Sequence, residues 1–88
     1  LFRSLSIDYQ LEYGRDQLEV RSDALRPGER VLLVDDVLAT GGTLAAASAL
    51  VQRFDAVPVG ACVVVELTAL QGRLRWQARE PLHSLLRY

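Results

Sequence analysis

Val31-Leu32-Leu33-Val34-Asp35-Asp36-Val37-Leu38-Ala39-Thr40-Gly41-Gly42-Thr43 is the stretch on which the reading of this chain turns. The apolar run Val31 to Val34 ends in two adjacent carboxylates, a pattern that predicts a strand buried on both faces of a parallel sheet. The carboxylates then stand at the C-terminal end of that strand, where open α/β sheets hold their ligands. Four residues after Asp36 begins a Thr-Gly-Gly-Thr turn, followed by an alanine-rich segment. The glycines let backbone N–H groups approach an anion at the start of a helix. Acceptors for sugar hydroxyls and donors for a phosphate therefore lie within one short segment.

Outward from this stretch, Leu44, Ala47, Leu50, Val51 and Phe54 recur at spacings of three and four. They predict a helix that starts with Thr43 and runs to about Phe54, rich in good helix formers. Arg30 to Asp35 reads as the central strand, Asp55 to Pro58 as a connection and Val59 to Glu66 as a second buried strand. Strand, helix and strand at this length make one βαβ unit, a parallel pair with a right-handed crossover. Upstream, Ser6 to Glu12 alternates, with Ile7, Tyr9 and Leu11 on one face, and Leu18 to Arg21 alternates again. The turn signal Tyr13-Gly14-Arg15-Asp16 joins them into a hairpin with a mobile tip, and Pro27-Gly28 punctuates the chain before the next strand. Downstream, Leu67 to Arg75 suits a short helical turn weakened by Gly72, and Leu82 to Leu86 suits an edge strand.

The composition narrows the class. At 88 residues the chain holds one domain at most, and 50% hydrophobic with 24% charged residues is ordinary globular composition. Ten basic and eleven acidic residues leave a net charge of −1, so no basic field draws in nucleic acid. A single cysteine, Cys62, forms no intramolecular disulfide and fits a reducing, cytoplasmic compartment. The longest apolar run, Val57 to Val65, is interrupted by Pro58 and Gly60 and falls short of the ~20 residues of a membrane span. The chain begins Leu1-Phe2-Arg3 and contains no methionine, which predicts that it is part of a longer polypeptide.

Ala39, Thr40, Gly41, Gly42 and Thr43 carry the phosphate reading. Neither Gly-Lys-Ser/Thr nor Gly-x-Gly-x-x-Gly occurs here, so the loop suits a monophosphate, not a triphosphate or a dinucleotide. Gly-Gly also suits a plain strand-to-helix turn capped by Thr43, but the preceding strand and acidic pair point to the anion. Asp35 and Asp36 face opposite sides if the strand continues through them. Their paired charge suits ribose hydroxyls as donors or a nearby Mg²⁺ as an offset, or else a solvated strand end. Other residues read as structural: His83 as structural or exposed, Cys62 as buried core, Trp76 as packing over an edge or a partner subunit. Glu66, which ends the second strand on the ligand side of the sheet, reads as a solvated or capping charge or else as an active-site carboxylate, and Arg73, Arg75, Arg79 and Arg87 read as solvated surface. No Cys/His cluster has metal-ligand spacing.

The stretch from Val31 to Thr43 resembles the binding signature of the type I phosphoribosyltransferases, which use 5-phosphoribosyl 1-diphosphate. Three more segments resemble the adenine-specific branch of that family: Tyr9-Gln10-Leu11-Glu12-Tyr13-Gly14; Leu18-Glu19-Val20 with Asp23-Ala24-Leu25 and Pro27-Gly28; and Val65-Glu66-Leu67-Thr68 with Leu70 and Gly72-Arg73. The ending Ser84-Leu85-Leu86-Arg87-Tyr88 is similar as well, so the likeness spans the chain and corresponds to the C-terminal half of such an enzyme. It implies an α/β, Rossmann-like parallel sheet of that family, here a partial domain, with a flexible catalytic hairpin over residues 1–25. A βαβ unit with the phosphoribosyl loop then covers 30–66, and a C-terminal segment covers 67–88.

By that resemblance, Ala39 to Thr43 bind the 5′-phosphate of substrate or AMP, and Asp35 and Asp36 contact the ribose hydroxyls. Glu12 handles a proton at the purine ring, Tyr13 shields the site, and Arg15 stands on the flexible loop where the family usually has lysine. The implied reaction is purine salvage: adenine displaces diphosphate from 5-phosphoribosyl 1-diphosphate to give AMP. Mg²⁺ arrives with the substrate, the complete protein is a homodimer, and neither nucleic acid nor membrane is a partner. The alternatives are another purine or pyrimidine phosphoribosyltransferase and a non-catalytic regulatory protein that senses the phosphoribosyl group. The family's N-terminal half, with the base-recognising hood, is expected to lie outside these 88 residues.

Overall fold

A computed structural model describes residues 4–11, 14–76 and 80–88. Two strands, β1 (Ser4–Leu11) and β2 (Gly14–Arg21), pair antiparallel from Ser4 opposite Arg21 to Leu11 opposite Gly14. Of the expected turn Tyr13 to Asp16, Gly14, Arg15 and Asp16 are strand residues of β2, paired with Leu11, Gln10 and Tyr9, because pairing continues past the turn signal; Glu12 and Tyr13 lie outside the described residues. Three further strands, β3 (Arg30–Leu38), β4 (Val57–Glu66) and β5 (Leu82–Arg87), form an all-parallel sheet in the order β3-β4-β5. The middle position thus belongs to β4, and the strand read as central, β3, lies at an edge among the described residues. Sequence order places β3 before β4, but neighbours are chosen by pairing, and β4 alone has two partners.

The helix α1 (Gly42–Arg53) crosses from β3 to β4. It starts one residue before Thr43: Gly41 is the residue that caps it, in the left-handed region at φ 89°. Its buried positions are Gly42, Leu44, Ala46, Ser48, Leu50 and Val51; Ala47, expected on the inward stripe, is only half-buried, and Ala46 and Ser48 face inward beside it. Small residues at Ala46 and Ser48 let the helix sit close to its neighbours.

Two apolar clusters fill the space beside α1. Leu38, Leu44, Ala61, Val63 and Leu82 form one, with Leu33 and Trp76 packed against it. Leu50, Val51, Phe54 and Ala56 form the other, and the hairpin supplies Leu5, Ile7, Leu18 and Val20 to it. The hairpin is therefore docked on the C-terminal half of α1. Arg53, in the last helical turn, donates from Nη1 to the Ser6 carbonyl and ties β1 to the helix. The turn before β3 is pinned in the same way, with the Gly28 N–H on the Asp55 carbonyl at 2.8 Å and the Val57 N–H on the Glu29 carbonyl at 2.7 Å.

One expectation fails. The apolar run of β3 is covered on one face only: Leu32 is 59% and Val34 72% exposed, and Val64 and Leu85 are also open. Burial on both faces needs a layer on each side of the sheet, and among the described residues α1 supplies just one.

Candidate anion-binding site

β3 runs on through both carboxylates to Leu38, so the alternation of side chains separates Asp35, half-buried, from Asp36, exposed. Each carboxylate accepts the backbone N–H of the next residue: Asp36 N–H on Asp35 Oδ1 and Val37 N–H on Asp36 Oδ1, both at 2.8 Å. Burial raises the Asp35 carboxyl above its ordinary value, and the neighbouring Asp36 carboxyl raises it further. The Asp36 N–H works in the opposite direction.

Past Leu38 the chain turns sharply and enters α1. Asp35 and all five residues of the turn, Ala39, Thr40, Gly41, Gly42 and Thr43, line one pocket of about 90 Å³. Asp36 is not part of that lining. No side chain caps the start of α1, and its first turn holds no acidic residue. The first N–H groups of the helix and its positive end thus receive no side-chain cap. Arg15 lines a second, larger cavity of about 390 Å³ with Asp8 and Tyr9 on the hairpin and Gly42, Ala45 and Arg75 across it. The hairpin thus brings Arg15 to the flank of the helix start, while Glu12 and Tyr13 lie outside the described residues.

A profile described as phosphoribosyl transferase domain matches residues 5–80. The chain belongs to that family. Adenine phosphoribosyltransferase from Xanthomonas campestris pv. campestris (strain B100) is 55% identical over 86 residues, 98% of this chain and 46% of its own length. Among solved structures, adenine phosphoribosyltransferase from Rhodothermus marinus DSM 4252 is 48% identical, with a TM-score of 0.93 over 100% of this chain and 50% of its own. The Saccharomyces cerevisiae enzyme, crystallised with an imino-altritol bisphosphate and adenine, is 36% identical, with a TM-score of 0.86 over 94% of this chain and 46% of its own. The chain therefore spans about half the length of the relatives it matches. Its α/β fold with a parallel sheet is that of these phosphoribosyltransferases.

Within this phosphoribosyl transferase domain, two features escaped the sequence reading. Gly72, read as a weak point in a helical turn, opens the second of two 3-10 turns, Thr68–Leu70 and Gly72–Arg75. It presses against the anion loop: a Cβ there would lie 2.2 Å from the Ala39 carbonyl oxygen and 2.9 Å from the Gly41 nitrogen. The other is Glu66, which is buried, not solvated. Arg73 grips it with two donors, Nη2 to Oε1 at 2.7 Å and Nε to Oε2 at 3.1 Å. Ser84 Oγ donates to Oε1 at 2.7 Å, and Arg87 Nε donates to the same oxygen at 3.2 Å. Arg73 is thus a half-buried ion-pair partner, whereas Arg87, 60% exposed, is a surface charge that also reaches Glu66. Trp76 packs on the core with Nε1 donating to the Glu80 carbonyl at 2.8 Å, and Cys62 is half-buried. A carboxylate at the end of an apolar strand gives no local hint of burial, because its partners come from residues seven to twenty-one positions away.

The Arg73 hydrogen bonds, then the Ser84 hydroxyl, hold the Glu66 carboxyl at about 2 against an ordinary 4.5, outweighing its burial. A lowered folded-state value means that the stabilisation is complete above about 4.5 and is lost as pH falls towards about 2. Thermal melts across that interval are expected to fall more steeply for the wild type than for Glu66→Gln, which has no proton to take up at this position. Parallel slopes for the two proteins contradict the assignment.

Among the described residues, no group of three or more His, Cys, Asp or Glu side chains has the arrangement to hold a metal ion. No helix among them is long and apolar enough to cross a membrane.

Proposed function

We propose that this chain carries the phosphoribosyl-binding half of an adenine phosphoribosyltransferase of purine salvage. The observation that supports it most strongly is the convergence of Asp35 and Ala39 to Thr43 on one pocket at the uncapped start of α1. The loop would hold the 5′-phosphate through backbone N–H groups and the two threonine hydroxyls. Asp35 would accept a hydrogen bond from a ribose hydroxyl, and Asp36, outside the pocket lining, would reach the diol from the exposed side of the strand end.

In the proposed reaction, a purine nitrogen of adenine forms a bond to the anomeric carbon as the bond from that carbon to diphosphate breaks. The proton leaves the purine ring, and diphosphate departs with the bonding electrons. Positive charge builds on the ribose ring, so correct placement of the sugar by the loop and the acids lowers the barrier. Glu12 would receive or hold the purine proton, Tyr13 would shield the site from water, and Arg15 would face the diphosphate with a planar fork in place of a point charge. Mg²⁺ belongs to this proposal as part of the diphosphate substrate, since the described residues offer it two adjacent carboxylates and no third ligand.

A homodimer of the complete protein and a cytoplasmic location complete the proposal. The open apolar face at Leu32, Val34, Val64 and Leu85 supports an arrangement in which further protein covers the sheet, and the single free Cys62 suits a reducing compartment.

Titration of the ¹⁵N-labelled chain with AMP tests the reading. The backbone resonances of Gly41, Gly42 and Thr43 are expected to shift with AMP and with ribose 5-phosphate, and to stay in place with adenine alone. Resonances that ignore millimolar AMP and ribose 5-phosphate overturn it. Base competition for 5-phosphoribosyl 1-diphosphate, in a polypeptide that includes these residues, then separates adenine from other purines and from pyrimidines.

A further inference from the structure

The anion loop does not hold its shape alone. Gly41 is in the left-handed region, and a Cβ there would lie 2.3 Å from the Gly72 carbonyl oxygen. Gly72 in turn has no room on the side of Ala39 and Gly41. The backbones of the loop and of the second 3-10 turn are therefore in direct contact, and the height of one sets the height of the other.

The residue after Gly72 is Arg73, and all three nitrogens of its guanidinium donate hydrogen bonds. It binds Glu66 through two nitrogens, donates from Nη1 to the Leu82 carbonyl at 2.7 Å, and reaches Ser84 Oγ at 3.2 Å. Glu66 is 4% exposed and fixed in β4, where it pairs with Leu38, the last residue of β3 before the loop. The Leu67 N–H on the Leu38 carbonyl, at 2.9 Å, closes the ring. A continuous path of contacts thus leads from the end of β3, through Glu66, Arg73 and Gly72, back to the underside of the loop that β3 feeds. The loop is short and its backbone rests on Gly72, so the angle at which it presents its N–H groups depends on where Arg73 is held.

We propose that Glu66 and Arg73 are positioning residues for the anion loop: their two-pronged contact seats Gly72 beneath Ala39 to Gly41 and so aims the loop's N–H groups at the phosphate. This inference rests on the phosphoribosyl reading for the identity of the anion, but not for the geometry of the loop.

Three variants of the 88-residue chain test it, with AMP affinity and backbone NMR resonances measured on the folded protein. Glu66→Gln keeps the side chain's shape but presents an amide donor to donors, and is expected to weaken AMP binding about tenfold. The Gly41 and Gly42 resonances should move even without ligand. Arg73→Lys keeps the charge and loses the fork, and a smaller loss of about threefold is expected with shifts in the same residues. Val51→Ala, in the apolar cluster at the C-terminal half of α1 and outside the Glu66–Arg73–Ser84 network, should lower the melting temperature with AMP affinity unchanged.

Wild-type affinity and unmoved loop resonances in both Glu66→Gln and Arg73→Lys, with only the melting temperature reduced, overturn the proposal. If Glu66→Gln does not fold, Arg73→Lys decides. If the wild type itself ignores AMP, the phosphoribosyl reading fails separately. The loop resonances of the unliganded variants then still decide the positioning role, displaced ones supporting it and unmoved ones ending it.

Discussion

Gly41→Ala is expected to weaken AMP binding by at least about thirtyfold, the equivalent of roughly 2 kcal/mol, while the chain keeps its helix and sheet. Two effects add. The residue sits at φ 89°, where a side chain costs about 1–2 kcal/mol. The new methyl also meets the Gly72 carbonyl oxygen at 2.3 Å and the Arg75 Cβ at 3.1 Å. The first of these is backbone and cannot swing aside, so the loop must lift or turn. Binding suffers more than folding because the ligand needs several N–H groups converging at once, whereas α1 needs only to start within a residue or so of its present place. Gly28→Ala is the control. Gly28 is also left-handed, at φ 81°, but a Cβ there meets nothing within 4 Å. It should lose about 1 kcal/mol of stability and none of its AMP affinity. Calorimetric titration with AMP and thermal melts of the two variants check the pair. Equal affinity in both would show that the loop's contact with Gly72 does not govern the site.

Leu50→Ala carries the largest expected loss of stability. Leu50 is 2% exposed and lies where α1, the start of β4 and the hairpin meet. Truncating such a leucine typically costs about 2–5 kcal/mol, because the cavity only partly collapses. A chain of this size has a thin margin, so a fall of about 10–25 °C in melting temperature is expected. The hairpin should feel it first. Leu5, Ile7, Leu18 and Val20 pack against this cluster, and two isolated strands have little stability of their own. Backbone resonances of β1 and β2 are expected to lose dispersion before those of β3 and β4 as temperature rises. Val34→Ala in the same 88-residue chain gives the contrast, since Val34 is 72% exposed and its loss should stay within about 0.5 kcal/mol. A melting temperature for Leu50→Ala within a few degrees of the wild type would show that this cluster does not anchor the hairpin.

The two predictions differ in how visible their residues were beforehand. Gly41 was marked by its place between a strand with an acidic end and a helix-forming segment, all within thirteen consecutive residues. Leu50 was marked by its spacing from Leu44, Val51 and Phe54. Both signals are local, and periodicity and turn chemistry report local geometry well. The strands also emerged in the right order and type, with boundaries moved by a few residues: β3 runs on to Leu38 and β4 begins at Val57. The helix start shifted from Thr43 to Gly42, because glycine in the left-handed region replaces a side-chain cap.

The hairpin and the parallel pairing of β3 with β4 were legible too, but the side-chain and backbone contacts between more distant segments stayed hidden. The alternating pattern could not show that one face of β3 is open, because an apolar run looks the same whether one layer or two lie beside it. The burial of Glu66 was equally invisible, since its neighbours Val65 and Leu67 say nothing about Arg73, Ser84 and Arg87. Gly72 read as a helix breaker in isolation, and its role as the seat of the loop exists only because the second 3-10 turn folds beneath Ala39 to Gly41. Consecutive residues were therefore enough to reveal the strand, the helix and the glycine turn between them, whose shape lies in backbone conformations that neighbouring residues dictate. The support beneath the loop and the charge buried at the strand end came from contacts between distant segments, which short-range pattern does not encode.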